Sequence, residues 1–274
     1  MCNIIPTFAA VKTLNQIISP IAAELTRFEA LFSQTLKADT EPMNSIMHYV
    51  SETKGKQLRP ILVLLSAKLF GEVNGQTLRA ATFVEMVHSA TLIHDDVVDD
   101  ADERRNRASL KAQFGNLSAV LAGDYLLAKA MMLLSHLEDQ AILQEMLRTT
   151  AAMSEGELMQ SNVVDCVSQS EKTTQYLDII TRKTAMLMRS CCVAGALSVN
   201  ASPLQVQQMA DFGLNFGILF QLRDDILDEE HKEQAQALLP SYQSMALQTL
   251  KALPDNETAL ALQELTLFCA ERME

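Results

Sequence analysis

Apolar residues recur along this chain at the three- and four-residue spacing of helices almost without interruption. In the segment from Thr7 to Lys37 they fall at Ile17, Ile21, Leu25, Phe28, Phe32 and Leu36, with Glu24, Arg27 and Gln34 between them on the other side. The same period predicts further helices over Pro42–Thr53, Arg59–Phe70, Gly75–Asp100, Ala119–Leu137, Ala141–Val163, Glu171–Ser198, Leu204–Glu230, Tyr242–Ala252 and Glu257–Arg272. Nothing alternates with period two for long enough to predict a strand. Gly71, the Asn200–Pro203 stretch and Pro254-Asp255-Asn256 fall where helices should stop. No linker or composition shift divides the chain, so the expectation is an all-α, single-domain bundle of about ten helices over residues 1–274.

Composition sharpens this picture. The 274 residues include only 9 Gly and 7 Pro, and 48% are hydrophobic, enough for a large core. A net charge of −12 argues against a broad nucleic-acid surface, which needs clustered cations. The five cysteines (Cys2, Cys166, Cys191, Cys192, Cys269) are scattered without a Cys-x-x-Cys pair, as expected of reduced thiols in a cytoplasmic protein. The first residues do not read as a signal peptide, and no uninterrupted apolar run reaches the roughly 18 residues of a membrane span.

Two of the longest helical segments end alike: "DDVVD" holds Asp95, Asp96 and Asp99, and "DDILD" holds Asp224, Asp225 and Asp228. Four-residue spacing stacks Asp95 on Asp99 and Asp224 on Asp228. One stacked pair of like charges costs only tenths of a kcal/mol in solvent. Repetition in two apolar helices points to something cationic that relieves it. Mg2+ fits, since it takes one or two carboxylates and completes its octahedron with water and phosphate oxygens. A calcium loop does not fit, because "DDVVDDADERRN" lacks the central glycine and the terminal glutamate.

"HSATLIHDDVVDDADERR" and "FQLRDDILD" closely resemble the two aspartate-rich motifs of the trans-prenyltransferases, the all-helical isoprenyl diphosphate synthases. "GKQLRP", "GDYLLAKA", "GELMQ", "KTA" and the C-terminal "LPDNETALALQELTLFCAER" follow that family's order. The resemblance implies helices around a central cavity, and three Mg2+ ions held by Asp95, Asp96, Asp99, Asp224, Asp225 and Asp228 against an allylic diphosphate such as farnesyl diphosphate. It implies that Lys56, Arg59, His88 and Arg105 hold isopentenyl diphosphate, that Arg104 contacts the allylic diphosphate, and that Lys183, Thr184 and Gln221 line the reacting carbons. Ionising an allylic diphosphate leaves a carbocation and a highly charged leaving group, so metals and cationic side chains on the departing oxygens lower the barrier. His94 receives no role, and Asp100, Asp102 and Glu103 read as solvated charges.

The prenyl tail should run toward the N-terminus of the Gly75–Asp100 helix, past Ala90 and Thr91. Small residues at these positions go with long products in the family, so a long-chain product of octaprenyl length or beyond is expected. The family also implies a homodimer, near a membrane if the product is greasy. One departure stands out. After "DDILD" the family normally continues with a glycine- and lysine-containing loop and further helices, whereas this chain passes through "EEHKEQAQALLPSYQSM" almost directly to its C-terminal motifs. It reads there either as a shortened variant or as a chain from which a mobile loop has been left out, with Lys232 a doubtful substitute for the missing lysine. Competing readings are a non-catalytic partner subunit, which tends to lose the aspartates, and a terpene cyclase, which needs an aromatic-lined pocket where this chain has 5% aromatics and no Trp.

Overall fold

A computed structural model of the protein describes residues 12–53, 55–163 and 168–272. The chain runs α1 (Leu14–Ile17), a 3-10 turn (Ser19–Ile21), α2 (Ala22–Leu36), α3 (Glu41–Glu52), α4 (Leu58–Lys68) and α5 (Gly75–Val98). A two-residue hairpin follows, β1 (Glu103–Arg104) with β2 (Arg107–Ala108), then α6 (Leu110–Phe114), α7 (Asn116–Leu134), α8 (Gln140–Ser161) and α9 (Gln169–Ile180). A π-helical turn at Thr181–Ala185 leads without a break into α10 (Met186–Ser198), and α11 (Pro203–Leu227), α12 (Lys232–Leu250) and α13 (Glu257–Glu271) complete the fold.

The all-α expectation holds, with three local corrections. The helix expected over Thr7–Lys37 is broken at Ser19–Pro20, where proline cannot donate to the preceding turn and a 3-10 turn takes over. The helix expected from Tyr242 starts at Lys232 and runs through Pro240, because packing against α11 outweighs one lost backbone bond. The "ERRNRA" stretch forms a hairpin: Arg105 and Asn106 both have positive φ (55° and 59°), as the tight turn of a two-residue loop requires. Cys2 and Cys166 lie outside the described residues; Cys191, Cys192 and Cys269 are buried free thiols, the last two pushed up to about 12 by burial.

The long site helices start from strong caps. The Asn74 side chain accepts from the Gln76 and Thr77 amides at 2.8 and 3.1 Å, and the Ser202 hydroxyl with Gln205 forms a reciprocal capping box. From Leu78 to Val87 nearly every residue of α5 is buried, so α5 is a core element rather than a surface helix. α10 packs against α4, α5, α8 and α11 and is its partner at the centre of the bundle. Small residues permit this. A Cβ on Gly195 would collide with the Val63 carbonyl and come within 2.7 Å of Ser66 Cβ, so glycine lets α10 and α4 touch at their backbones. Around them Phe28, Phe83, Phe212 and Phe216 are fully buried, each contributing about 1.5–3 kcal/mol through apolar area removed from water.

α7 is long and apolar enough to cross a membrane by length and composition, with a third of its apolar window buried inside the protein. It packs along α5 and leaves Leu117, Leu121 and Met132 exposed on the outer surface.

Candidate active site

Both aspartate runs sit at helix C-termini. Asp99 caps α5 and Asp228 caps α11, their amides donating to the Asp95 and Asp224 carbonyls at 2.8 and 2.9 Å. A helix C-terminus already carries partial negative charge, so carboxylates there are doubly disfavoured unless a cation is close. The Asp95 carboxyl is pushed up to about 6, mainly by burial and then by Glu157, with Lys183 and Arg104 pulling the other way. Asp224 is also raised by burial, against Arg272, whose Nη2 lies 2.5 Å from Asp224 Oδ1.

The middle aspartates are placed differently. Asp96 is 3% exposed and receives Arg104 Nε at 2.6 Å. Asp225 is 6% exposed; Gln221 Nε2 donates to its Oδ1 at 2.8 Å and the Tyr176 hydroxyl donates to its Oδ2. Asp96 and Asp225 are thus held by the protein itself, while Asp99 and Asp228 stand exposed and Asp95 and Asp224 are partly open.

Cations converge between the two runs. The Arg59 side chain, from the first turn of α4, has Glu85, Asp224 and Arg105 as its charged neighbours. Arg105 donates from Nη1 to the Thr53 carbonyl at 2.9 Å, and its guanidinium lies over Gly55, where a Cβ would sit 2.5 Å from Nη2. His88 is held neutral, its pKa pushed well down by burial first and then by Arg59, Arg105 and Arg104. Lys56 is exposed at the rim. A small recess opens beside Arg104 and Arg105, bounded by Tyr49, Ser89, Leu92 and Asp96.

Lys183 and Thr184 come from the π-helical turn, a local widening that redirects side chains and recurs at functional sites. Lys183 Nζ reaches Glu157 at 2.9 Å and Gln160 Oε1 at 2.8 Å. Thr184 Oγ1 donates to Gln221 Oε1 at 2.7 Å. Ala90 is fully buried, and the Thr91 hydroxyl donates to the His88 carbonyl of its own helix at 2.9 Å.

Five residues without an assigned role join this site. Glu157 and Gln160 belong to "GELMQ", and their spacing of three on one helix face was the available signal. Tyr176 lies two turns before Lys183, Arg272 closes the "CAER" motif, and Glu85 sits buried beside Arg59 with its Oε2 unpartnered. Outside the site, Asp100 and Asp102 are exposed as expected but share the Lys111 ammonium, and His94 crosses to α7 over Gly123, its Nε2 3.2 Å from the Val120 carbonyl.

Residues 40–237 match the profile of the family described as Polyprenyl synthetase. The chain belongs to the polyprenyl synthetase family. Among its relatives in that family, the octaprenyl diphosphate synthase of Haemophilus influenzae is 36% identical over 200 residues, 73% of this chain and 60% of that protein. Heptaprenyl diphosphate synthase component 2 of Geobacillus stearothermophilus is 33% identical over 216 residues, 78% of this chain and 67% of that protein. The chain therefore spans only about three fifths of the length of the Haemophilus relative. A polyprenyl synthase from Caulobacter crescentus, solved with calcium and isoprenyl diphosphate, superposes with a TM-score of 0.88 at 25% identity, covering 97% of this chain and all of that one.

In this chain the passage after "DDILD" is a compact turn. Glu229 and His231 take left-handed φ values of 62° and 44°, the His231 ring lies 4.9 Å from that of Tyr176, and α12 folds back onto α11 around Ala235, Ile218 and Leu222. Lys232 is paired with Glu229 at 2.9 Å on the surface.

Proposed function

We propose that this chain, as one polyprenyl synthase domain shortened after the second aspartate run, condenses isopentenyl diphosphate with an allylic diphosphate to extend an all-trans polyprenyl chain. The observation that carries this reading is the pair of aspartate runs at helix C-termini, their outer carboxylates bordering the space that Arg59, Arg104, Arg105 and Lys183 also border. Among the described residues no three His, Cys, Asp or Glu side chains gather on one point. The donor set therefore fits an ion that takes the rest of its ligands from phosphate and water, as Mg2+ does.

Asp95, Asp99, Asp224 and Asp228 are the residues that would hold such ions, three by family resemblance. Bound Mg2+ would neutralise the departing diphosphate. The chain's own groups do the remainder. Arg104 and Lys183 add positive charge toward the leaving group, and Arg59, Arg105 and Lys56 bind the second diphosphate beside neutral His88. The oxygens of Thr184 and Gln221 turn negative dipole ends toward the allylic cation. The isopentenyl double bond attacks that cation, and the proton lost afterwards is taken by the released diphosphate. Purified protein given farnesyl diphosphate, isopentenyl diphosphate and Mg2+ is expected to yield elongated prenyl diphosphates.

The likeness to a component 2 protein favours a second reading, in which activity requires another chain. That reading gains if elongation is absent alone and appears on adding a second protein. We also assign the exposed apolar side chains of α7 to contact with a second copy of this chain, since large exposed apolar side chains along one helix suit an interaction surface; sedimentation equilibrium at the single-chain mass would refute it. A cytoplasmic location, peripheral to the membrane, belongs to the same reading.

Product length is proposed from Ala90 and Thr91. Thr91 spends its hydroxyl on its own helix and offers only a methyl group, and Ala90 offers one carbon, so neither blocks a long tail. Ala90→Tyr is expected to shorten the product in chromatography of the dephosphorylated prenols. Because Ala90 is fully buried, the smaller Ala90→Leu serves as the folding control, and an unchanged product from both refutes the assignment.

A further inference from the structure

In one hydrogen-bonded chain at the second aspartate run, Tyr176 and Asp225 have no place in the scheme above. The Thr184 hydroxyl donates to Gln221 Oε1 at 2.7 Å, Gln221 Nε2 donates to Asp225 Oδ1 at 2.8 Å, and the Tyr176 hydroxyl donates to Asp225 Oδ2. Tyr176, Thr184 and Asp225 are each no more than 7% exposed. The chain crosses three elements: α9 supplies the phenol, the π-helical turn the threonine, and α11 the amide and the carboxylate.

A primary amide has nearly the same shape when turned over, so only its partners decide which end faces where. An ionised carboxylate can only accept. With Asp225 accepting on one side of Gln221, the NH2 group faces Asp225 and the carbonyl oxygen faces Thr184. The Tyr176 hydroxyl donates to the other carboxylate oxygen, Asp225 Oδ2. Both oxygens of Asp225 are therefore engaged by protein donors.

We propose that Tyr176 and Asp225 are positioning residues that fix the polarity of the Gln221 amide, so that its oxygen rather than its NH2 group faces the reacting carbons. The proposal rests on the prenyl-transfer reading for its purpose, though not for its geometry. A negative dipole end stabilises an allylic cation, and the same amide turned over would repel it. The sign of the contribution thus depends on a tyrosine in a different helix. Asp225 then serves the site from behind, as outer partners orient the groups that touch a reacting centre.

The test uses Tyr176→Phe, which removes one hydroxyl and keeps the ring on His231, together with Asp225→Asn and Gln221→Leu. In selectively 15N-glutamine-labelled protein, the Gln221 NH2 signals are assigned by their loss in Gln221→Leu. Tyr176→Phe is expected to shift them and to speed their exchange with solvent. In the assay it should lower kcat about tenfold, the scale of one hydrogen bond to a charged group, with KM for isopentenyl diphosphate unchanged. In the Gln221→Leu background the same change should lower kcat no further. Binding of Mn2+ with inorganic diphosphate, read by electron paramagnetic resonance, should be unaffected in Tyr176→Phe and weakened far less in Asp225→Asn than in Asp224→Asn.

An unmoved Gln221 signal in Tyr176→Phe overturns the proposal, as does an equal loss of kcat in the presence and absence of Gln221. Equal weakening of Mn2+ binding by Asp225→Asn and Asp224→Asn makes Asp225 a metal ligand and overturns it as well. If the wild type elongates nothing, alone or with a second chain, the prenyl-transfer reading fails; a shifted signal in Tyr176→Phe still upholds the amide orientation, and an unshifted one removes both.

Discussion

Replacing Asp95 with asparagine is expected to lower elongation turnover by about 10²- to 10³-fold, the loss seen when one preorganised electrostatic group is removed from a reacting centre, while raising the melting temperature of the protein in chelator at neutral pH. Both effects have one cause. Burial, Glu157 and Asp99 hold the Asp95 carboxyl up near 6, above its ordinary 3.8. A carboxyl raised in the folded state binds its proton more tightly there than in the unfolded chain, so stability falls as pH rises from about 4 to about 6 and stays lower above that. The wild-type protein without cations should therefore lose stability across this window, and the asparagine variant should show a flatter profile. Mg2+ with diphosphate should raise the wild-type melting temperature at pH 7.5 and leave the variant nearly unmoved. A variant that melts below wild type at pH 7.5 in chelator would contradict the assignment of Asp95 as a strained, cation-seeking group.

The second large effect is expected away from any charged group. α8 passes so close to the π-helical turn that a Cβ on Gly156 would lie 2.6 Å from the Lys183 amide nitrogen and 2.7 Å from Arg182 Cβ. Neither neighbour is a flexible side-chain end, so Gly156→Ala must push the two backbones apart. Overpacking of this kind costs about 1–3 kcal/mol, measurable as a lower urea midpoint. The displacement acts on Lys183 and Thr184, and a shift of about 1 Å in positioned groups is enough for a roughly 10²-fold loss of turnover. Gly156→Ala should therefore be less stable and much less active, with the Lys183 contacts to Glu157 and Gln160 broken in its structure. Wild-type stability in this variant would remove the packing argument.

The long helices and the pairing of the two aspartate runs were legible because both rest on periodicities of three to four residues, which sequence carries directly. What escaped was set by local turn chemistry or by contacts across the fold. Pro20 ends a helix whereas Pro240 does not, and the difference lies in the packing of α12 on α11 rather than in either sequence window. The hairpin at Arg104–Arg107 is too short to leave an alternating pattern. In the site, residues four apart lie on one face, but adjacent ones lie about 100° round the helix, which is why Asp96 and Asp225 turn to protein partners while their neighbours do not. Tyr176 and Arg272 reach the site only through tertiary packing, so their roles could not be read from spacing alone.

The burial of those two middle aspartates has a mechanical consequence. Asp96 bolted to Arg104, and Asp225 to Tyr176 and Gln221, stop the last turn of α5 and α11 from rolling about its own axis. Each outer pair is then a jaw set to a fixed gauge before any ion arrives. If those outer carboxylates hold ions as proposed, a cation that takes regular octahedral geometry would meet them with little rearrangement of the protein.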